Sequence, residues 1–158
     1  MAVDIIGHEE RMRSKSFCLR FKANRSLEFM DITRQVQDCL TDSGVQTGLV
    51  VVYSKHTTAA VKINENEPLL LEDLGRFLER IAPRDGHYRH NDFSVRTVNM
   101  TDDECPNGHS HCQQLLLGTS ETIPVMRGII QLGRWQSIFL IELDHPRTRE
   151  VIVQVLGE

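Results

Sequence analysis

The sequence predicts an α+β fold that is mostly β, a two-sheet antiparallel β-sandwich carrying about two helices. Two apolar stripes of helical period lie in the first half of the chain, whereas short apolar runs typical of strands fill the second half. Gly128, Gly133 and Pro146 interrupt those later runs at turn positions. Because helices and strands are segregated along the chain, an α+β arrangement fits better than the alternating pattern of a doubly wound sheet.

The first of these elements is a strand. Residues 17–21 alternate apolar and polar side chains, which is the period of a half-buried strand. Apolar residues then recur every four positions and predict a helix over 33–42. Asp31 or Thr33 can cap its start through a side-chain oxygen, and Gly44 can end it in a left-handed conformation.

A second strand-and-helix pattern follows. The β-branched run 48–53 predicts a central strand covered on both faces, and 60–64 predicts a short strand after it. A long apolar stripe then predicts a second helix that starts at Pro68 and ends before Pro83. The polar segment 84–107 has little periodicity, and a loop of that length in a compact domain is mobile or functional.

The last third of the chain is predicted to be mainly strands. Residues 112–117 fit either a short helix or a strand. Antiparallel strands are expected around the apolar runs at 123–125, 129–132, 138–143 and 151–156.

Length and composition indicate one domain over residues 1–158, of which 1–14 form a polar N-terminal arm without a clear period. The 25% charged and 40% hydrophobic fractions are those of ordinary globular domains. A domain of this size has its own core and needs no disulfide. Free thiols are therefore expected at all four cysteines, Cys18, Cys39, Cys105 and Cys112.

Charge and hydropathy exclude several partners. The net charge is -4, and the basic residues form no long block, which argues against nucleic acid and anionic membrane surfaces. No apolar stretch reaches the roughly 18 residues of a membrane helix, and the N-terminus lacks the pattern of a secretory signal. We expect a cytoplasmic protein.

Histidines are the main candidates for chemistry. Five of the seven fall at strand ends or in the polar loop region, namely His56, His87, His90, His109 and His111. His109 and His111 would share one face of a strand, so three or four imidazoles around a divalent metal are sterically feasible. Two alternatives stay open: solvated or hydrogen-bonding histidines, and a structural zinc held by Cys105, His109 and Cys112.

Three charged residues are further candidates. Glu65 can act as a general base or acid beside a metal-bound water. Arg147 or Arg149 can grip a phosphate or carboxylate with a bidentate guanidinium. The usual motifs of nucleotide-binding loops, serine hydrolases and zinc proteases do not occur.

Several spaced segments of the chain resemble the YjbQ-like proteins, a group described as secondary thiamine-phosphate synthases. The likeness runs from Lys15 to Gly157, and it is carried by "SKHTTAAVKINENE", "YRHND", "NGHSHCQQLLLGTSETIPV", "GIIQLGRWQSIFLIELDHPR" and "VIVQVLGE". The chain departs from the family pattern at Arg134, where GTWQ is usual, and at His145, which replaces the glycine of a GPR turn.

The resemblance implies a homotrimer with a histidine pocket at or near the subunit interface. By matching position, His56, His90 and His111 would hold a divalent metal ion, with zinc as the first candidate and nickel, copper and iron as alternatives. His87 and His109 are left open. The resemblance also implies substrate-binding roles for Thr57, Asn64, Asn66 and Arg147, and catalytic roles for Glu65 and Arg147.

Two functions follow from this resemblance. The first is a metal-dependent enzyme acting on a small phosphorylated substrate, with a thiamine-phosphate synthase activity that joins a pyrimidine diphosphate to a thiazole phosphate. The second is a non-catalytic trimer that binds a metal and an anionic metabolite. Metal-dependent hydrolysis is the nearest alternative chemistry.

Overall fold

The computed structural model describes residues 12–158, so residues 1–11 of the predicted N-terminal arm lie outside the described residues. Arg13 and Ser14, which were assigned to that arm, instead open the first strand. They pair with Gly157 and Leu156, although the first four residues of the strand are all exposed and polar and therefore show no alternation in the sequence. The two ends of the described chain therefore lie side by side.

Among residues 12–158, eight strands and three α-helices form an α+β fold that is mostly β. The strands are β1 Arg13–Lys22, β2 Glu28–Asp31, β3 Thr47–Ser54, β4 Ala59–Glu65, β5 Ser120–Met126, β6 Ile129–Ile130, β7 Gln136–Glu142 and β8 Thr148–Gly157. The helices are α1 Thr33–Ser43, α2 Pro68–Ile81 and α3 Gly108–Leu117, with a 3₁₀ helix at Arg89–Asn91.

The strands form two antiparallel sheets, which confirms the predicted sandwich. The larger sheet has the order β1-β8-β3-β5-β6, and the smaller one has the order β2-β7-β4. Inward-facing side chains of both sheets, such as Val52, Val153 and Leu140, are fully buried in one core. Helix α1 adds Val36 and Leu40 to that core. A smaller apolar cluster lies beneath α2 and α3.

The two predicted helices begin differently. The N-cap of α1 is Ile32, which makes no side-chain cap hydrogen bond, so the predicted cap by Asp31 or Thr33 is wrong; Asp31, just before it, accepts the Thr33 backbone N–H at 2.9 Å. Gly44 ends α1 with φ 73°, as predicted. At α2, the Glu67 carboxylate accepts two backbone N–H groups of the first turn at 2.9 and 2.7 Å, directly before Pro68. Such caps satisfy donors that a helix start leaves without partners.

The third helix corrects the prediction for His109 and His111. They do not share one face of a strand, because Gly108–Leu117 is helical and residues two apart on a helix point about 200° away from each other. His109 is consequently buried, whereas His111 is partly exposed on another side of α3. Glutamine and leucine favour this helix, and Gly118 ends it with φ 86°.

Strand β3 is central in its sheet, but it is not covered on both faces within the chain. Val50 and Val52 are fully buried, while Leu49 and Tyr53 on the outer face are 44% and 42% exposed. A continuous apolar run cannot by itself distinguish a strand buried on two sides from one that carries apolar residues on an open face. The outer face of the larger sheet is therefore available for contact.

All four cysteines are free, as predicted. Within residues 12–158, none of the helices combines the length and the apolar character needed to span a bilayer.

Candidate functional site

A cavity of about 860 Å³ opens where four segments meet. These segments are the turn between β3 and β4, the 3₁₀ helix with the loop that follows it, the first turn of α3, and the start of β8. The strand β3 delivers the first of them because its apolar core residues end at Val52 and polar residues begin at Ser54. The cavity is thus assembled from sequence positions nearly 100 residues apart, 55–58 and 147–149.

Its lining is strongly basic. Five lysine and arginine side chains line it, namely Lys55, Arg89, Arg96, Arg147 and Arg149. Three histidines join them, His56, His90 and His111, and Glu104 is the single carboxylate that lines the cavity among residues 12–158. The chain as a whole carries a net charge of -4, so positive charge is concentrated here. A concave site of this charge attracts anions.

His90 and His111 stand against each other in the cavity wall. Their ring centroids are 4.6 Å apart with an interplanar angle of 68°. Asn91 fixes this contact, because its Oδ1 accepts the backbone N–H groups of Asn107 and Gly108 at 3.1 and 2.9 Å and so ties the 3₁₀ helix to the start of α3. Burial lowers the pKa of His111, and the neighbouring His90 lowers it further. A neutral His111 ring keeps a lone pair for a ligand.

Glycine is required where the two segments touch. A Cβ on Gly108 would lie 2.6 Å from Tyr88 Cβ, far inside the contact distance of two carbon atoms. The His90 ring that this packing holds in place has a buried Nε2 atom with no hydrogen-bond partner among residues 12–158. A buried polar atom without a partner is uncommon, and a bound water molecule or ligand would satisfy it.

His56 is oriented differently from this pair. Its Nε2 accepts the backbone N–H of Glu150 at 2.8 Å, so the neutral ring carries its proton on Nδ1. Burial lowers the pKa of His56, and the charge of Arg149 adds to the shift. In this orientation His56 is a hydrogen-bond donor toward its surroundings, and it can bind a metal only by giving up the bond from Glu150.

The three predicted metal ligands therefore share one cavity without converging. Within the described residues, the ligand atoms of His56, His90 and His111 do not all lie within 4.8 Å of one another. Their role in binding a metal stays a prediction. The alternative zinc set is not assembled either: Cys105, His109 and Cys112 form no such group, because His109 is buried beside Ser110 while Cys112 is exposed on α3.

Most of the basic side chains are engaged by carboxylates. Lys55 contacts Glu150 at 2.6 Å and Arg96 contacts Glu104 at 2.7 Å. Arg89 is different, since it is exposed and has no ion-pair partner among residues 12–158. It is the basic group of the cavity that is most available to an incoming anion. The sequence pattern did not single it out, although it directly precedes His90 in the polar loop.

The predicted substrate residues divide between two ends of β4. Thr57 lies at the cavity, just before the strand begins. Asn64, Glu65 and Asn66 lie at the other end, roughly 20 Å further along at the rise of an extended strand. Asn66 donates a hydrogen bond to Asp31 there at 2.9 Å. Within one chain these three residues do not line the cavity, and their roles stay predictions.

Arg147 and Arg149 reach the cavity from β8 or its preceding turn, but they differ in their partners. Arg149 makes a bidentate pair with Glu142, with two contacts of 2.5 Å, and also donates to Thr58 Oγ1 at 3.0 Å. Arg147 contacts Asp144 Oδ2 at 2.5 Å through a single nitrogen. Arg149 is therefore mainly structural, whereas Arg147 has donors left for a ligand.

Comparisons with known proteins agree on one group. A sequence profile described as "UPF0047 protein YjbQ-like" matches residues 18–158. A UPF0047 protein of Methanothermobacter thermautotrophicus is 41% identical over 140 residues, or 89% of this chain and 90% of that protein. Crystal structures of a YbjQ-like protein of unknown function from Sulfolobus solfataricus and a hypothetical protein from Aeropyrum pernix give TM-scores of 0.84 and 0.81. Their identities are 32% and 38%, covering 94% and 91% of this chain and 100% and 99% of theirs.

Proposed function

The chain belongs to the YjbQ-like UPF0047 family, and on that premise we propose that it binds a small phosphorylated molecule in the basic cavity and acts on it with the help of a divalent metal ion. The observation that carries the proposal is the set of basic side chains in the lining. Four of the five are paired with carboxylates, but Arg89 has no ion-pair partner among residues 12–158 and Arg147 keeps donors free for an anion. A cavity of about 860 Å³ also has the size of a small-molecule site.

The first contact with the anion is assigned to Arg89. It is exposed and unpaired among residues 12–158, so no internal ion pair has to break before it binds a phosphate. Arg147 is the second contact, because only one of its terminal nitrogens is engaged with Asp144. Two guanidinium groups on different segments can hold a phosphate or diphosphate in a fixed orientation.

His90 and His111 are the best-placed residues for the metal. Their rings touch, the pKa of His111 is lowered by burial, and the Nε2 atom of His90 is buried without a partner. His56 completes the predicted set only after its ring releases the Glu150 amide. Imidazole donors suit zinc and neighbouring first-row metals. Such an ion, when bound, neutralises charge on phosphate oxygens.

The first candidate reaction is the thiamine-phosphate synthase reaction. In it, the thiazole nitrogen attacks the methylene carbon of the pyrimidine, and the carbon–oxygen bond to the diphosphate breaks. Residues of this chain would contribute by positioning: Arg89 and Arg147 bind the departing diphosphate and hold the carbon in line with the nitrogen. No proton has to be moved by Glu65 in this step, which suits its position at the far end of β4.

The second candidate is binding without turnover. Glu104, the carboxylate of the cavity, is paired with Arg96 at 2.7 Å, so no carboxylate of the described lining is free to act as a general base. Proton transfer in a hydrolase would therefore have to use the same imidazoles that are assigned to the metal, which favours a metabolite-binding protein.

We also propose a homotrimer, as the resemblance implies. The outer face of the larger sheet exposes large apolar side chains, among them Leu49, Tyr53, Met126 and Ile129. A contiguous apolar face of this kind marks an interaction surface. Sedimentation of the purified chain tests the assembly directly, with a monomer at micromolar concentration as the contradicting result.

Calorimetric titration with pyrophosphate tests the binding site. Arg89→Ala is expected to weaken binding by tenfold or more, at about 1.5 to 3 kcal/mol for a charge-assisted hydrogen bond. Arg34→Ala, an exposed arginine on α1, is the matched control and should bind as the unchanged chain does. Equal affinity in all three proteins would refute the cavity as the anion site.

Turnover separates the two candidate functions. The chain is incubated with the pyrimidine diphosphate and the thiazole phosphate, with and without added zinc, and thiamine phosphate is measured by chromatography. Product formation that depends on metal and is lost in His111→Ala supports the enzyme. Tight binding of pyrophosphate without product supports the metabolite-binding protein.

A further inference from the structure

Cys105, Asp144 and His145 come together beside the basic cavity. Their ligand atoms all lie within 4.8 Å of one another, which makes them the one such group of three among residues 12–158. Cys105 Sγ is 3.4 Å from His145 Nδ1 and 4.0 Å from Asp144 Oδ1, while Nδ1 lies 3.0 Å from Asp144 Oδ2. The three residues come from the polar loop and from the β7–β8 turn, so only the fold unites them.

The geometry fits a cation site better than a nucleophilic triad. In a triad, the nucleophile and the carboxylate contact opposite nitrogens of the histidine, which passes the proton between them. Here Cys105 and Asp144 both face the same atom, His145 Nδ1. Three ligand atoms around one point enclose a position for a cation.

A cation already lies next to these atoms. Arg147 Nη2 is 2.5 Å from Asp144 Oδ2 and 2.6 Å from His145 Nδ1, so one guanidinium nitrogen donates to both. The arrangement is incomplete, because Arg147 Nε is buried without a hydrogen-bond partner among residues 12–158. Arg147 therefore fills the position without satisfying all of its own donors.

A fourth group points to the same conclusion. Asn107 donates to Asp144 Oδ2 at 3.5 Å, and its own Oδ1 is buried without a partner in the described chain. The Asp144 side chain is only 4% exposed. A buried carboxylate beside an unpartnered amide oxygen provides more acceptors than the single Arg147 nitrogen uses, and a metal ion satisfies such a surplus.

We propose that Cys105, Asp144 and His145 form a second metal site, which takes a zinc-like divalent ion in exchange for the guanidinium of Arg147. On binding, the Cys105 thiol releases its proton to solvent, and the thiolate, carboxylate and imidazole become ligands. Thiolate and imidazole select zinc over magnesium or calcium, which prefer oxygen. The site uses none of His56, His90 and His111, so it does not depend on the metal of the proposed function. It does share Arg147 with the proposed anion site, because the guanidinium that the metal would displace is the second contact assigned to the anion.

Cobalt(II) is the probe, because a thiolate bound to cobalt gives a charge-transfer absorption in the near ultraviolet that imidazole and carboxylate ligands alone do not give. The full chain is titrated with cobalt under reducing conditions. The band is expected in the unchanged protein and in His111→Ala, and it is expected to disappear in Cys105→Ser. Cys112→Ser, an exposed cysteine on the neighbouring helix, is the matched control and should keep the band.

Affinity measured by competition with a chromophoric zinc chelator tests the exchange. His145→Gly should lower zinc affinity at least about tenfold, since even the loss of a residue that only supports a ligand costs about 10- to 100-fold. Arg147→Gln should raise zinc affinity, because the competing charge is gone. Circular dichroism of each variant verifies folding.

Three results would overturn the proposal. One is the absence of the band at saturating cobalt, and another is a band that persists in Cys105→Ser. The third is weaker zinc binding by Arg147→Gln, which would make the arginine a supporting residue of the site instead of its competitor.

Discussion

Arg147 and Arg149 lie two residues apart, each beside a buried carboxylate, yet the two pairs are built differently. The Arg149 side chain is 3% exposed and its bidentate pair with Glu142 is fully buried. The Arg147 side chain is 38% exposed, uses one nitrogen toward Asp144, and leaves its Nε without a partner among residues 12–158. The Arg149–Glu142 pair is thus buried with both partners bidentate, a closed pair. The Arg147–Asp144 pair uses one nitrogen of an arginine that is partly exposed at the cavity.

The difference follows from the alternation of a strand. Arg149 belongs to the inward-facing set of β8 with Val151 and Val153, so it must bring a counter-charge into the protein, and Glu142 on β7 supplies it. Arg147 precedes the strand, so its side chain does not have to be buried with a counter-charge. Buried charge in this region thus serves the fold, whereas partly exposed charge is free to take part in binding.

The largest expected effect comes from breaking the closed pair. Arg149→Ala leaves the Glu142 carboxylate buried without its cation, and such a change costs about 3 to 5 kcal/mol. Urea unfolding followed by circular dichroism measures it. Arg20→Ala, an arginine of β1 that is 73% exposed and paired with Glu150, is the control and should cost less than about 1 kcal/mol. Equal losses would mean that burial of the pair contributes nothing.

The cavity wall provides a second test, this time of packing. Gly108→Ala should destabilise the chain by about 1 to 3 kcal/mol, because the new methyl group collides with Tyr88. Gly75→Ala is the matched control: it lies within α2 with open space around its Cβ position, and alanine should stabilise that helix by up to about 1 kcal/mol. Unfolding midpoints in urea compare the two, and a stabilised Gly108→Ala would contradict the tight contact.

A decrease in pH is expected to lower the stability of the fold by an intermediate amount. Burial lowers the pKa of His109, and the charge of Arg84 adds to the shift. In the unfolded chain the His109 imidazole takes up a proton near pH 6.5, whereas in the folded chain it is still neutral at that pH. The free energy of unfolding therefore decreases as the pH falls from about 6.5 through the pKa of the folded state. His56 and His111 shift in the same direction.

Urea midpoints of metal-free protein at pH 7.5 and 5.5 measure this loss. His109→Gln cannot take up the proton, so it should show a smaller difference between the two pH values than the unchanged chain, even if it is less stable at both. A difference that is unchanged in this variant would exclude His109 as a source of the pH dependence.

Sequence periodicity predicted the sandwich because the apolar repeat within each element shows which of its faces is buried. An alternating repeat gives one apolar face of a strand, and a four-residue repeat gives one apolar face of a helix. Sequence periodicity also located the left-handed end of α1 at Gly44, whose role depends on adjacent backbone groups. It left α3 undecided, since the segment 112–117 is too short and too apolar for its period to distinguish a helix from a strand. The faces of His109 and His111 were consequently assigned wrongly.

The sequence motifs predicted which residues line the candidate site, but not the contacts that these residues make with distant parts of the chain. The motif residues His56, His90, His111, Thr57 and Arg147 do line one cavity. Local pattern could not give the Glu150 amide that engages His56, because that bond joins positions 94 residues apart. Nor could it predict that Cys105 meets His145, since this contact depends on the path of a loop without periodicity.

The smallest change in stability, and the most informative one for the comparison, is expected from Arg147→Ala. Asp144 is buried, but it keeps its contacts with His145 and Asn107 when the half-exposed guanidinium is removed, so the loss should lower the free energy of unfolding by about 1 kcal/mol. The same variant should bind pyrophosphate about tenfold more weakly, because one charge-assisted hydrogen bond to the anion is lost. Calorimetric titration and urea unfolding of the same preparation give both numbers, with Arg34→Ala as the control. If Arg147→Ala instead destabilised the fold as much as Arg149→Ala while leaving pyrophosphate binding intact, both arginines would be structural, and the distinction between a closed and an available charge would fail.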